Sequence, residues 1–264
     1  MSLLSWAIMP SILLVIIIYL SDRFKEPIRH VIVAFLLGVG FVVALYVLIE
    51  IVHYLFLQTK LFDVFSLYYN EEYDIAWGWG QKVWFHFIRA SFLEELCKFS
   101  VLYLYCMKFK SFNEPFDAII YGVAISLGFS AFENIDYVTS SADGIIRIFP
   151  TLMHASTGVM MGLLLSKYLM KEQSNLFRLF LSLQIPVLMH GFYNLTTYSM
   201  QFISVVIIFV VVSMTIIVIQ RNKQKYKLWE QETIFKHSNT EYFKSIILVF
   251  FATVVISFVL SSIY

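Results

Sequence analysis

Two carboxylates and an ammonium fall together in the run Ser91-Phe92-Leu93-Glu94-Glu95-Leu96-Cys97-Lys98. At helical spacing Glu94 and Lys98 are i,i+4 and Glu95 and Lys98 are i,i+3, so the lysine reaches either carboxylate. Burial favours a neutral carboxyl and a neighbouring ammonium favours a charged one, so such a pair can serve as a general base near neutral pH. Glu95, at mid-span beside Lys98, is the expected base. Further along stand Glu133 and Asn134, then His154, then the i,i+4 pair His190 and Asn194. A buried base of this kind activates water for attack on a peptide carbonyl, and His190 with Asn194 can hold the developing oxyanion. Alternatively, Glu133, His154 and His190 supply two imidazoles and a carboxylate, a sufficient ligand set for a catalytic divalent metal such as zinc. No H-E-x-x-H motif is present, so a metal set rests on convergence of separate helices. Spacing leaves both schemes open.

The segments carrying these groups are lipid-like. Of 264 residues, 59% are hydrophobic and 14% charged, where a soluble domain has roughly a quarter charged. Mean hydropathy is +0.77. The apolar runs are continuous and near the ~20 residues of a bilayer-spanning helix. They predict an all-α polytopic helical bundle and exclude the alternating strands of an outer-membrane barrel. Eight spans are expected, over 3–20, 31–57, 82–107, 115–138, 145–170, 176–198, 201–220 and 244–263. The first lacks a basic leader and an A-x-A site, so it reads as a retained helix. Cys97 and Cys106 share one helix and imply neither a disulfide nor a cysteine metal site. With no repeat or linker, residues 1–264 read as a single membrane domain, with a four-helix catalytic core over 90–198.

Charge placement gives an orientation. Fourteen of the 19 basic residues follow spans one, three, five and seven. The positive-inside bias assigns those loops to the cytoplasm and the amino terminus to the outside. The loop after span two carries Asp63, Glu71, Glu72 and Asp74, and its Tyr68, Tyr69, Tyr73, Trp77 and Trp79 suit an interfacial aromatic belt. The basic run Arg221–Lys227 reads as a topology determinant and anionic-lipid contact. A net charge of +1 points to no nucleic-acid partner.

A charge at a helix centre costs about 2.5–3.5 kcal/mol on insertion scales, so several together need pairing or a hydrated cavity. At about 1.5 Å per residue, Glu133 lies about 8 Å from the outer helix ends, His154 and His190 about 12–14 Å, and Glu94 and Glu95 about 18–20 Å. Four helices thus bring polar groups to one region of the bilayer. Gly122, Ser126 and Ser130 on span four, and Gly158 and Gly162 on span five, form small-residue stripes that allow close approach. Taken singly, Glu94, Glu95 and Lys98 also fit a structural ion pair, and Asn134 a bridge between helices. His30, His53, His86 and Arg89 read as interfacial or packing residues, and Asp136 as solvated. Buried Glu, Lys and His also serve proton-coupled transporters, but no inverted repeat is visible and the inner half reads as dry apart from Lys98. An inactive helix-binding scaffold is a third possibility.

The order Glu94-Glu95-x-x-Lys98, Phe129-x-x-x-Glu133-Asn134, His154, His190-x-x-x-Asn194 resembles the PrsW family. Asp117-Ala118, Tyr121-Gly122 and the run His190-Gly191-Phe192-Tyr193-Asn194 fit as well. The resemblance covers residues 90–198 and implies membership of a superfamily of intramembrane proteases that includes CAAX-prenyl endopeptidases and Abi proteins. It implies site-1 cleavage of a single-pass anti-sigma factor in a bacterial envelope-stress pathway, at the cell membrane. It further implies essential roles for Glu94, Glu95 and His190, by a metalloprotease or glutamate-protease mechanism. Glu133 stands where the CAAX branch has a histidine, and Lys98 replaces an arginine one position further along, so prenyl specificity is not implied.

Overall fold

A computed structural model describes residues 2–22, 24–56, 78–169, 175–199 and 239–262, and each count or absence given for the molecule refers to these. Every described element is helical. In chain order they are α1 (Leu3–Ser21), α2 (Ile28–Phe56), α3 (Trp79–Trp84), a π-helical segment (Phe85–Phe92) and α4 (Leu93–Leu104). After these come α5 (Pro115–Tyr137), α6 (Ser141–Ile146), α7 (Ile148–Leu169), α8 (Leu176–Ser199) and α9 (Asn239–Ser261). Six described helices are long and apolar enough to cross a membrane. The expected third span is a further column, built from α3, the π-helical segment and α4, and it carries Lys82, Arg89, Glu94, Glu95 and Lys98. The expected fifth span breaks at Arg147 into α6 and α7. Span 201–220, the acidic and aromatic part of the loop after span two up to Trp77, and the run Arg221–Lys227 lie outside the described residues, as does the His53 side chain.

Burial separates centre from periphery. In α5, 89% of the spanning window is buried, against 11% in α1 and 22% in α9. The apolar exteriors of α1 and α9 therefore suit lipid, and α5 is the axis of the bundle. It packs on α1, α2, α4 and α7, while α7 packs on α8, and α8 on α9 and the π-helical segment. Pro115 opens α5, where its missing N–H costs nothing. The Asp117 carboxylate accepts from the backbone N–H groups of Asn113 (2.6 Å) and Glu114 (2.7 Å), closing the first turn.

The small-residue stripes act as expected. A Cβ on Gly122 would come 2.6 Å from the Gly158 carbonyl oxygen, and one on Gly162 would come 2.2 Å from that of Ala118. The α5 and α7 backbones are therefore in direct contact, which side chains at these positions would prevent. Ser126 belongs to the same seam, its Oγ 2.8 Å from where a Gly158 Cβ would be. Gly38 on α2 makes a second such contact with α5, 2.1 Å from the Ile125 carbonyl oxygen by the same measure.

The opposite end of the bundle is not dry, contrary to the sequence expectation. Glu26, Glu114 and Asp117 are buried there. Glu26 Oε2 accepts from Ser111 Oγ (2.6 Å) and from the Tyr121 hydroxyl, and His30 Nδ1 lies 2.9 Å from the same serine oxygen. Along α5, Tyr121 and Glu133 are separated by about 18 Å at 1.5 Å per residue. The buried interval between them is mostly apolar, with Val123, Ala124, Ile125, Leu127 and Phe129, and is interrupted by Ser126 and Ser130.

Candidate active site

The π-helical segment comes just before the two carboxylates. Ser91 Oγ donates to the His86 carbonyl at 2.7 Å, five residues back, matching the wide turn. Such insertions in α-helices are frequent at functional sites because they re-aim the side chains that follow. Here Glu94 and Glu95 open the next α-helix, both buried.

Six of the seven expected residues form one network. Lys98 Nζ donates to Glu95 Oε1 at 2.7 Å and to His154 Nδ1 at 2.8 Å, and lies 4.6 Å from the Phe129 ring centroid. An ammonium only donates, so His154 Nδ1 accepts and its proton sits on Nε2, where it is donated to Glu133 Oε2 at 2.9 Å. Tyr46 donates to the other Glu133 oxygen at 3.1 Å. Glu95 Oε1 also receives His190 Nδ1–H at 2.9 Å and the Thr157 hydroxyl at 3.4 Å. In the neutral ring this leaves the lone pair on His190 Nε2, 3.8 Å from Glu94 Oε2. The two imidazole centroids are 5.0 Å apart.

A cavity of about 550 Å³ opens onto this network. Glu94, Glu133, His154 and His190 line it, with Tyr46 and the half-buried Asn194. Glu95 and Lys98 are behind the wall, fully enclosed. Glu95, expected as the water-activating base, is thus set back from the cavity, with its Oε1 engaged by Lys98 and His190 and its Oε2 without a hydrogen-bond partner. His86 and Arg89, expected only to pack, also line the cavity. Asn134 bridges helices as anticipated: its amide donates to the Ala7 carbonyl (3.1 Å) and Thr151 Oγ1 (2.9 Å).

The two imidazoles expected in a metal set are together, and the carboxylate that joins them is Glu94. Ligand atoms of Glu94, His154 and His190 all lie within 4.8 Å of one another. Glu94 Oε2 is buried and has no hydrogen-bond partner among the described residues. Two acceptors, that oxygen and His190 Nε2, thus face each other with no donor between them. Zinc bonds to nitrogen and oxygen are about 2.0–2.2 Å, so ligands sharing one ion sit between three and four ångström apart. The donor types fit a divalent metal, with His154 able to join only after it gives up its bond to Lys98 or Glu133 and the 4.8 Å spread closes. Glu133, the carboxylate expected in the set, is instead hydrogen-bonded to His154 and Tyr46.

The family model described as PrsW family intramembrane metalloprotease matches residues 26–219, which includes every residue of the network. The chain belongs to that family. It is similar to the protease PrsW of Bacillus subtilis (strain 168), at 30% identity over 198 residues, covering 73% of this chain and 81% of that protein. The Oceanobacillus iheyensis protease PrsW is also 30% identical, over 197 residues, covering 74% and 82%. That of Halalkalibacterium halodurans is 38% identical over 133 residues, covering 48% and 61%. No solved structure matches the chain. The chain is accordingly an intramembrane peptidase of multi-pass helical build, and the family match takes in α2 with Tyr46, beyond the 90–198 core expected from motifs.

Proposed function

We propose that the chain hydrolyses a peptide bond in a single-pass membrane protein, with Glu94, Glu95, Lys98, Glu133, His154, His190 and Asn194 as its working residues. The single observation that carries this is the meeting of two carboxylates and two imidazoles at the wall of one cavity inside an apolar bundle. Glu94, whose Oε2 lacks a partner, takes a proton from a cavity water as the water oxygen attacks the scissile carbonyl carbon. The Asn194 amide, on the same wall, donates to the oxygen that becomes negative. The proton on Glu94 then passes to the departing amine nitrogen as the C–N bond breaks. Glu95 fixes the tautomer of His190, and Lys98 fixes that of His154. Glu94, His190 and, once it releases Lys98 or its Nε2 proton, His154 are the residues that would hold a divalent metal, which would supply Lewis-acid polarisation of the carbonyl or of the water. In that state Glu133 is the remaining cavity carboxylate able to accept the proton.

The resemblance to the PrsW family supports a single-pass, anti-sigma-factor-like substrate, a bacterial cell membrane and kinship with the CAAX and Abi proteases. The positive-inside bias supports an amino terminus outside and a site in the extracytoplasmic half, near where a substrate helix would end. Residues 90–198 supply most of the network, and Tyr46 extends it into α2. A proton-coupled carrier is less well supported, because the α5 interval between the network and the polar cluster at the other end is mostly apolar and holds no ionisable side chain. Purified protein in detergent, given a fluorescently labelled single-pass substrate, tests the proposal. Glu94→Gln is expected to abolish product formation, and cleavage by that variant at the wild-type rate would refute it.

A further inference from the structure

Arg147 sits in the turn between α6 and α7 and lines the same cavity as Glu94 and Glu133. Its guanidinium is held from two directions. Nε donates to Asn134 Oδ1 at 2.7 Å, and the group lies 4.5 Å from the Tyr137 ring centroid. Asn134 is fully buried, and its NH₂ is spent on the Ala7 carbonyl, which can only accept, and on Thr151. The amide oxygen is thereby fixed toward the arginine. With Nε occupied, the end-on pair Nη1 and Nη2 remains, the edge that grips a carboxylate with two parallel hydrogen bonds. A guanidinium stays charged at any physiological pH. Among the described residues no carboxylate lies within ion-pair distance of it, although the exposed Glu50 and Asp136 line the same cavity.

We propose that Arg147, oriented by Asn134 and Tyr137, is a specificity-determining subsite that binds an acidic side chain of the substrate close to the scissile bond. This rests on the proteolytic function proposed for the cavity. An equidimensional void of about 550 Å³ would be about 10 Å across, roughly three residues of extended chain at about 3.3 Å each. The acidic residue therefore falls within about three positions of the cut. Asn134 acts through Arg147 as a positioning residue.

The experiment uses a pool of labelled single-pass helical substrates randomised over the residues flanking the cut, with products read by mass spectrometry. Reporters carrying Glu or Gln at the enriched position then give kcat/KM. Wild-type protein is expected to favour Glu by at least about tenfold. Arg147→Gln brings that ratio to about one, and Arg147→Glu inverts it toward a Lys reporter. Asn134→Ala lowers the ratio partway, with thermal unfolding in detergent run on each variant as the folding control. A wild-type ratio near one, or an unchanged ratio in Arg147→Gln, overturns the subsite. Glu94→Gln run on the same pool separates the two ideas: undiminished cleavage there sinks the hydrolytic assignment, while the Glu/Gln ratio is still read on its own.

Discussion

Two buried polar clusters sit at opposite ends of α5, and they differ in kind. At one end Glu94, Glu95, Glu133, Lys98, His154 and His190 contact one another directly and border a cavity. At the other, Glu26 and Asp117 take their hydrogen bonds from neutral hydroxyls and backbone N–H groups, and neither lines that cavity. The second cluster stitches the α1–α2 connection to the start of α5. The first leaves an oxygen of Glu94 and a nitrogen of His190 facing each other without a donor. Buried charge in a membrane bundle is thus not enough to mark a reactive site. Access to a void is what separates the two, since an unpartnered buried oxygen is found in both: Asp117 Oδ1 has no hydrogen-bond partner either.

The sharpest way to break this contrast is to remove one carboxylate from each end. Glu94→Gln is expected to slow cleavage of a labelled single-pass substrate by at least about 10²–10⁴-fold, the range for a lost proton-transferring group, with little change in unfolding temperature because its Oε2 has no hydrogen-bond partner to lose. Glu26→Gln should do the reverse, keeping the rate within about twofold while costing about 1–3 kcal/mol of stability from the unsatisfied hydroxyls. A folded but inactive Glu26→Gln protein would erase the distinction. Next in size is metal content. Protein purified without a histidine tag should hold about one divalent ion per chain, lost in His190→Ala, and chelation should lower the rate by about 10²-fold. Full activity in a sample free of metal by elemental analysis would discard the ligand set and leave Glu94 as the base. The smallest effect is at Tyr46. Tyr46→Phe removes only the hydrogen bond to Glu133, worth about 1 kcal/mol, so a threefold to tenfold fall in kcat is expected. An unchanged kcat would place Tyr46 outside the network.

Much of this arrangement was legible in the residues themselves. Ionisable side chains in apolar runs are costly enough that Glu94, Glu95, Lys98, Glu133, His154 and His190 stood out one by one, and their similar depths suggested a meeting point. Glycine and serine at fourfold spacing identified the α5–α7 seam for the same reason. Tyr46 gave no signal, because a tyrosine among valines and leucines reads as packing or as an interfacial anchor. Arg147 gave no signal either, because its engagement depends on a break between α6 and α7 that hydropathy smooths over. Which carboxylate faces the void was also hidden. Adjacent glutamates differ by 100° of helical phase, and that phase is set by the π-helical turns, which follow from tertiary packing rather than local propensity. Glu26 and Asp117 lie beside span ends, where a charge is usually free to reach water.

The wide turns over Phe85–Phe92 make the orientation of the glutamates depend on the type of helix before them. Tightening that stretch into ordinary α-helix at unchanged length, with no polar group altered, would swing both glutamates around the axis by about 100°, one residue's worth of turn. Leu93 would then point where an oxygen is needed. Along this stretch a change of helical winding is equivalent to a substitution at the reactive centre, whereas in α1, largely exposed on its apolar exterior, the same change would only slide one greasy surface past another.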